Sequence, residues 1–191
     1  EIMHALRNQA RRIAQHSTWV LINGEPGAGK EVVARYIHAQ SSLRDRPFVE
    51  VAVGSMSAGN SAVELFGSEE GERVVYGRLE QANGGTLFLG NISDMDVQTQ
   101  ARLLSVFQTH SFLRMGGTEA IPVDIRVRAT TARDLEQEVR EGRFREDLYY
   151  HLNVVPLTVP PLREHSEDVP ELLNFYVDRF VVQEHLPYRE F

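Results

Sequence analysis

The 191-residue sequence contains no cysteine. Disulfides, thiol catalysis and zinc–cysteine sites are therefore excluded. It has no apolar run approaching the roughly 18 residues a membrane-spanning helix needs, and no secretory signal pattern. The expectation is a cytoplasmic setting with no membrane partner. An excess of positive charge is also missing: Lys plus Arg is 20 against 27 for Asp plus Glu, a formal charge of −7. Wrapping nucleic acid requires a basic face, so DNA contact is expected only through a domain other than this one. The first residue is not Met and lies inside a helical pattern, and the last residues follow closely on a new helix. The chain thus reads as a segment of a larger protein. What it does have is 42% hydrophobic residues and ordinary charge content, enough for a core.

Apolar periodicity divides the chain into alternating strands and helices. "EIMHALRNQARRIAQ" places Ile2, Leu6, Ile13 and Ala14 on one helical side and Arg7, Arg11 and Arg12 among its polar positions, a solvated face. "TWVLIN" (18–23) is a short buried strand, followed by a Gly-rich turn and the helix "KEVVARYIHAQSS", with Val32, Val33, Tyr36 and Ile37 at helical spacing. "RPFVEVAV" and "GTLFL" are the next strands. The helix "DVQTQARLLSVFQ" follows, with Ala101, Leu104 and Phe107 toward a core. "VDIRVRATT" is a fourth strand, "REDLYYHL" a short helix and "NVVPLTVP" a fifth strand. A last helix opens near Ser166. "SEEGE" reads as a solvated acidic loop. Such alternation predicts an α/β fold, a parallel sheet covered on both faces. Functional groups then gather beyond the carboxyl ends of the strands.

Gly24, Gly29 and Lys30 satisfy G-x-x-x-x-G-K, with a strand before and a helix after. Glycines allow the backbone to curl so that its N–H groups face an anion, and the following helix adds its dipole. Lys30 is placed to meet outer phosphates. The candidate nucleotide-binding set is Gly24, Glu25, Pro26, Gly27, Ala28, Gly29, Lys30 and Glu31, with ATP or ADP as the ligand. Glu31 stands where the generic pattern has a magnesium-binding Ser or Thr. The competing reading is a plain Gly-rich turn between strand and helix.

Longer motifs go further. "GEPGAGKE", "ELFG", "GRLEQANGGTLFL", "QARLLSVFQ", "FLRMGGTEAIPVDIRV", "GRFREDLYYHLNVVPLTVPPLRE" and "EDVPELL" resemble the central ATPase domain of bacterial enhancer-binding proteins, the AAA+ activators of sigma-54 RNA polymerase grouped with NtrC. The resemblance runs from about Ile13 to Val182. It implies a P-loop AAA+ five-stranded parallel sheet sandwiched by helices, with the start of a truncated helical lid. The corresponding parts are a linker helix (1–16), the α/β nucleotide-binding subdomain (17–165) and the first part of the lid (166–191). It also implies a receiver domain before this segment, a helix-turn-helix DNA-binding domain after it, and self-association through the AAA+ interface. Glu31 follows the family's habit.

Five positions depart from the family pattern. Its third strand ends in Asp-Glu, one residue for magnesium and one for the attacking water; here stand Gly90 and Asn91. The Asn on the second strand that restrains that Glu is matched by Ala52, and the γ-phosphate-sensing Asn after the fourth strand by Ala132. Of two arginines reaching into a neighbouring subunit's site, Arg145 is kept and the second position is His151, read as a neutral interface residue rather than a charged mimic. The loop that grips sigma-54 is replaced by the shorter "SEEGERVVY", which most resembles the NtrX branch. Asp94 and Asp96 are expected beyond the strand end, out of place to substitute. His38 and His110 show no ligand spacing. The combined expectation is a regulatory domain that can bind nucleotide, with magnesium weak or absent, no confident catalytic or metal residue, hydrolysis lost, and sigma-54 not a partner. An active ATPase with an atypical magnesium site and a nucleotide-free oligomerisation scaffold are the alternatives.

Overall fold

The computed structural model describes residues 2–15, 19–153 and 155–165. The expected lid helix from Ser166 lies outside the described residues. Five strands form one all-parallel sheet: β1 (Val20–Asn23), β2 (Phe48–Ala52), β5 (Thr86–Gly90), β8 (Arg126–Thr131) and β9 (Val155–Thr158), in the order β2-β5-β8-β1-β9. Parallel strands need crossover connections, and helices supply them. These are α2 (Lys30–Gln40), α3 (Ala58–Phe66), α4 (Arg78–Ala82), α5 (Val97–Thr109), α6 (Leu135–Arg140) and α7 (Glu146–Leu152), while α1 (Ile2–Ala14) precedes the first strand. Two short hairpins, β3 (Ser68–Glu70) with β4 (Arg73–Val75) and β6 (Ser111–Phe112) with β7 (Ile121–Pro122), stand apart from the sheet.

The period-2 alternation of strand side chains sorts the core into two layers. Leu21, Val51, Leu87, Leu89, Val127 and Ala129 pack with Leu103, Phe107 and Leu148 from the α5 and α7 side. Val20, Ile22, Phe88 and Leu157 pack with Leu6, Ala10, Val33 and Ile37 from α1 and α2. Each fully buried leucine contributes about 1.5–3 kcal/mol, so both faces anchor the sheet to its helices. The helix α1 lies along α2, where Arg11 Nε donates to the Tyr36 hydroxyl at 2.7 Å.

Several local readings change. Val32 is exposed on α2, and Ala101 is only half-buried on α5. The strand β8 begins at Arg126, leaving Val123 buried in the preceding connection. The acidic "SEEGE" stretch is one arm and the turn of a hairpin, with Ser68 opposite Val75 and Glu70 opposite Arg73. Its neck admits only glycine: a Cβ on Gly67 would lie 2.3 Å from the Val75 carbonyl oxygen. The hairpin is fixed from outside itself, which no local pattern reveals. Glu69 N donates to Met115 O at 2.9 Å. Arg114 reaches Glu69 at 3.5 Å and binds Glu80 at 2.8 and 3.0 Å.

Candidate functional site

The β1 strand, flanked by β8 and β9, delivers the chain into the Gly-rich loop from inside the sheet. Gly24 N donates to Thr131 O at 3.3 Å, and Val159 N donates to Asn23 O at 2.8 Å, so neighbouring strands hold the loop's root. Gly27 takes φ +81° and Gly29 φ +92°, left-handed values that L side chains rarely adopt. Gly29 is also the N-cap of α2 and offers no side-chain cap. The helix therefore opens on first-turn amides and a positive dipole end. Lys30 is nine-tenths buried at this point. Its Nζ curls back to donate to Gly24 O at 2.6 Å and Glu25 O at 3.4 Å. Burial pushes the Lys30 ammonium below the usual lysine pKa. An anion in the loop would give that ammonium a better partner than two carbonyls. The backbone path, dipole and lysine fit a phosphate tail.

Glu31 turns away, exposed, toward Arg35 at 3.4 Å on the outer face of α2. A cleft of about 400 Å³ opens beside the loop, lined by Asn23, Gly24, Glu25, Thr131, Ala132 and Asp134 among others. Two of the predicted regions, the loop and Ala132, thus share one cavity wall.

The other predicted positions lie further along the sheet's carboxyl edge. The β8 strand separates β1 from β5, and Gly90 at the end of β5 pairs in register with Ala52 at the end of β2. Asn91 follows in a left-handed conformation (φ 55°, ψ 55°), its backbone N–H bound to Thr130 Oγ1 at 3.0 Å. Ala52, Asn91 and Ala132 are exposed. A Cβ on Gly90 would have as its nearest neighbour Val51 O at 3.6 Å, an ordinary contact. The missing side chain is therefore not forced by crowding.

The nearby carboxylates serve other purposes. Asp96 caps α5: it accepts from Thr99 N at 3.0 Å, Thr99 Oγ1 at 2.7 Å and Ser61 Oγ at 3.0 Å. Burial pushes the Asp96 pKa up, but these hydrogen bonds outweigh it and hold the carboxyl below its usual range. Asp94 faces Arg133 at 3.9 Å. Among the described residues no group of three or more His, Asp or Glu side chains is arranged to hold a metal ion. The donor set at the strand tips, a glycine and an amide, does not fit magnesium, which favours carboxylate oxygens.

The two finger positions part company on α7. Arg145, its N-cap residue, pairs with Asp147 through two hydrogen bonds of 3.0 and 2.8 Å at the surface. His151 faces rings of its own chain, 4.5 Å from Trp19 and 5.9 Å from Phe107 between ring centres. Burial first, and the nearby His110 second, lower its pKa. The lowered pKa favours the neutral imidazole in this aromatic cluster. His38 is likewise structural, bonded to Thr86 Oγ1 at 3.0 Å and Arg46 O at 3.1 Å. His110 caps α5 with a positive φ of 55°.

Sequence reasoning missed one residue at the loop. Arg163 lies in the short turn Leu162–Glu164 and binds the Glu25 carboxylate with both terminal guanidinium nitrogens, at 2.6 and 2.9 Å. That hydrogen bonding holds the Glu25 pKa below its ordinary value. The only sequence signal was the "PPLRE" motif, to which no role was attached.

A family model described as the sigma-54 interaction domain matches residues 1–158. The nitrogen assimilation regulatory protein NtrX of Azorhizobium caulinodans is 45% identical over 179 residues, covering 93% of this chain and 39% of that protein. The C4-dicarboxylate transport transcriptional regulatory protein DctD of Pseudomonas aeruginosa is 44% identical over 193 residues, covering 98% and 42%. Crystal structures of Brucella abortus NtrX superpose closely. The complex with ADP gives a TM-score of 0.90 at 41% identity, covering 98% of this chain and 42% of that one. The complex with ATP gives 0.88 at 42% identity, covering 94% and 42%. The chain thus spans about two fifths of the length of the relatives it matches.

Proposed function

This chain belongs to the sigma-54 interaction domain family, with the AAA+ fold of NtrC-type regulators, and we propose that within that family it is a pseudo-ATPase. It is the central regulatory domain of an NtrX-like response regulator. The domain binds ATP or ADP at Gly24–Glu31 and has lost both hydrolysis and sigma-54 remodelling. It relays a signal between a receiver domain and a helix-turn-helix domain, which carries the DNA contact, and it self-associates through the AAA+ interface.

One contrast carries this reading: an intact anion cradle around Lys30, set beside strand tips that offer no carboxylate. Gly27 and Gly29 shape the loop, and Lys30 supplies a buried cation. Gly90 offers no side chain to ligate magnesium, and the Asn91 amide cannot accept a proton from water. Ala132 offers no hydrogen bond to a terminal phosphate. His151 carries no fixed charge. A general base contributes roughly 10²–10⁴ in rate, and an arginine finger about 10³–10⁵. Such losses are not additive, yet either alone takes turnover far below that of a complete site. The relatives crystallised with ADP and ATP support the binding half of the proposal.

Two measurements test it. Calorimetric titration should show ADP or ATP binding. Phosphate release at saturating ATP and magnesium should stay at least about 100-fold below an intact family member. Turnover comparable to the intact member would refute the reading.

A further inference from the structure

The phosphate loop carries two carboxylates. Glu31 is turned outward to Arg35. Glu25 is the other, and it lines the cleft beside Gly24 and Thr131. A carboxylate at the rim of a site built for a polyanion repels its ligand. Across 138 residues of sequence, Arg163 meets this carboxylate fork to fork, Nη1 to Oε2 at 2.6 Å and Nη2 to Oε1 at 2.9 Å. The segment that bears Arg163 is itself tied to the loop's root. Val159 N donates to Asn23 O at 2.8 Å, while Glu164 N donates to Pro161 O at 3.0 Å within the segment and closes its terminal turn. A Cβ on Gly24 would lie 3.2 Å from Val159 O. Residues 159–164 therefore run as a strap beside the loop, with Arg163 at its far end.

We infer that Arg163 sets the affinity of the phosphate loop for a nucleoside di- or triphosphate by cancelling the Glu25 carboxylate and fastening this strap to the loop. The inference rests on the reading of the loop as a nucleotide site. Arg163 acts through Glu25 and is a positioning residue, not a ligand contact. Its loss leaves one uncompensated negative charge within several ångströms of the anion site, which weakens binding by about 3- to 10-fold at the effective dielectric of a protein surface. The effect shrinks in salt, because both groups are more than half exposed.

The test is calorimetric titration of this chain with ADP, for the unaltered protein, Arg163→Gln, Glu25→Gln and the double variant. Arg163→Gln should bind about 3- to 10-fold more weakly, with the difference fading near about 0.5 M salt. Glu25→Gln should bind at least as tightly as the unaltered chain, and the double variant within about twofold of Glu25→Gln. A double variant as weak as Arg163→Gln would mean that Arg163 touches the ligand directly, and would overturn the inference. An Arg163→Gln variant of unchanged affinity would overturn it as well. A ligand-free measurement stands beside these. Amide hydrogen exchange at Gly27–Lys30 should quicken by about twofold or more in Arg163→Gln, and unchanged rates would remove the strap. If the unaltered chain takes no ADP at all, the functional reading fails, and the exchange result alone decides this inference.

Discussion

Gly27 and Gly29 lie in the phosphate loop at one margin of the sheet's carboxyl edge, Gly90 further along that edge, and the two margins respond differently to mutation. At the loop, glycine is required: positive φ angles shape a concave backbone that any anion can use. At the β5 tip, glycine is merely permitted, since a side chain would fit there without a close contact. The proposed anion binding depends on a backbone path held by buried strands and the buried Lys30. The chemistry expected of this family depends on single side chains at exposed tips, Ala52, Asn91 and Ala132. Loss of those side chains costs the fold almost nothing, because they have little packing to lose. A domain can therefore shed catalysis residue by residue while its binding loop stays in place.

The largest expected effect separates scaffold from tip on one strand. Leu89→Ala should cost about 2–5 kcal/mol of stability in urea unfolding, because Leu89 is fully buried between sheet and helices. Gly90→Asp, one residue on, should fall within about 1 kcal/mol of the unaltered chain. A larger penalty at Gly90 would show that the tip is structurally committed after all.

A smaller effect divides the two margins by binding. Lys30→Ala should lower ADP affinity by at least about tenfold, the loss of a charge-assisted contact. Ala132→Asn should leave it within about twofold. Equal effects from both would dissolve the distinction. Smaller again is the response to magnesium: replacing it with a chelator should change ADP affinity by less than about twofold, since the strand tips supply no carboxylate ligand. A strong magnesium requirement would mean that the tips still coordinate.

The smallest effect concerns pH. Burial holds the His38 and His151 pKa values below that of a free imidazole, with Arg128, Arg126 and Arg35 adding to the effect at His38 and opposing the bond that His38 Nε2 donates to Arg46 O. The unfolded chain then binds protons more readily than the folded one. This contribution to stability is complete above about pH 6.5 and is lost as pH falls through the folded values. The urea midpoint should drop between about pH 7 and pH 5, and His38→Gln should flatten that slope. An unchanged slope would place the pH response elsewhere, for example in the acidic range of Asp96 and Asp147, whose pKa values are held low.

Most of the sheet was legible because its strands are short apolar runs between Gly-rich or polar breaks, and α1, α2, α5 and α7 carry clear helical spacing. The loop was legible for a different reason: its spacing of Gly24, Gly29 and Lys30 is a geometric requirement written into consecutive residues. Three short helices, α3, α4 and α6, and both hairpins gave too little periodicity to stand alone. The helix α6 is six residues long, and each arm of the β3–β4 hairpin is three. Their stability comes from distant partners such as Arg114 with Glu80 and Glu69. His151 was assigned by its place in a motif, yet its neighbours Trp19 and Phe107 come from α5 and the approach to β1.

The sequence by itself determined the α/β alternation, the family, the phosphate-loop spacing and the residue types at the strand tips, because each is encoded within a few neighbouring positions. Only the tertiary structure decided that Glu25 faces Arg163, that Ser61 also donates to the Asp96 carboxylate, that Gly90 has room for a side chain and that His151 is packed among rings. Those outcomes depend on atoms brought together across tens to more than a hundred residues of chain, where local pattern carries no information about distance.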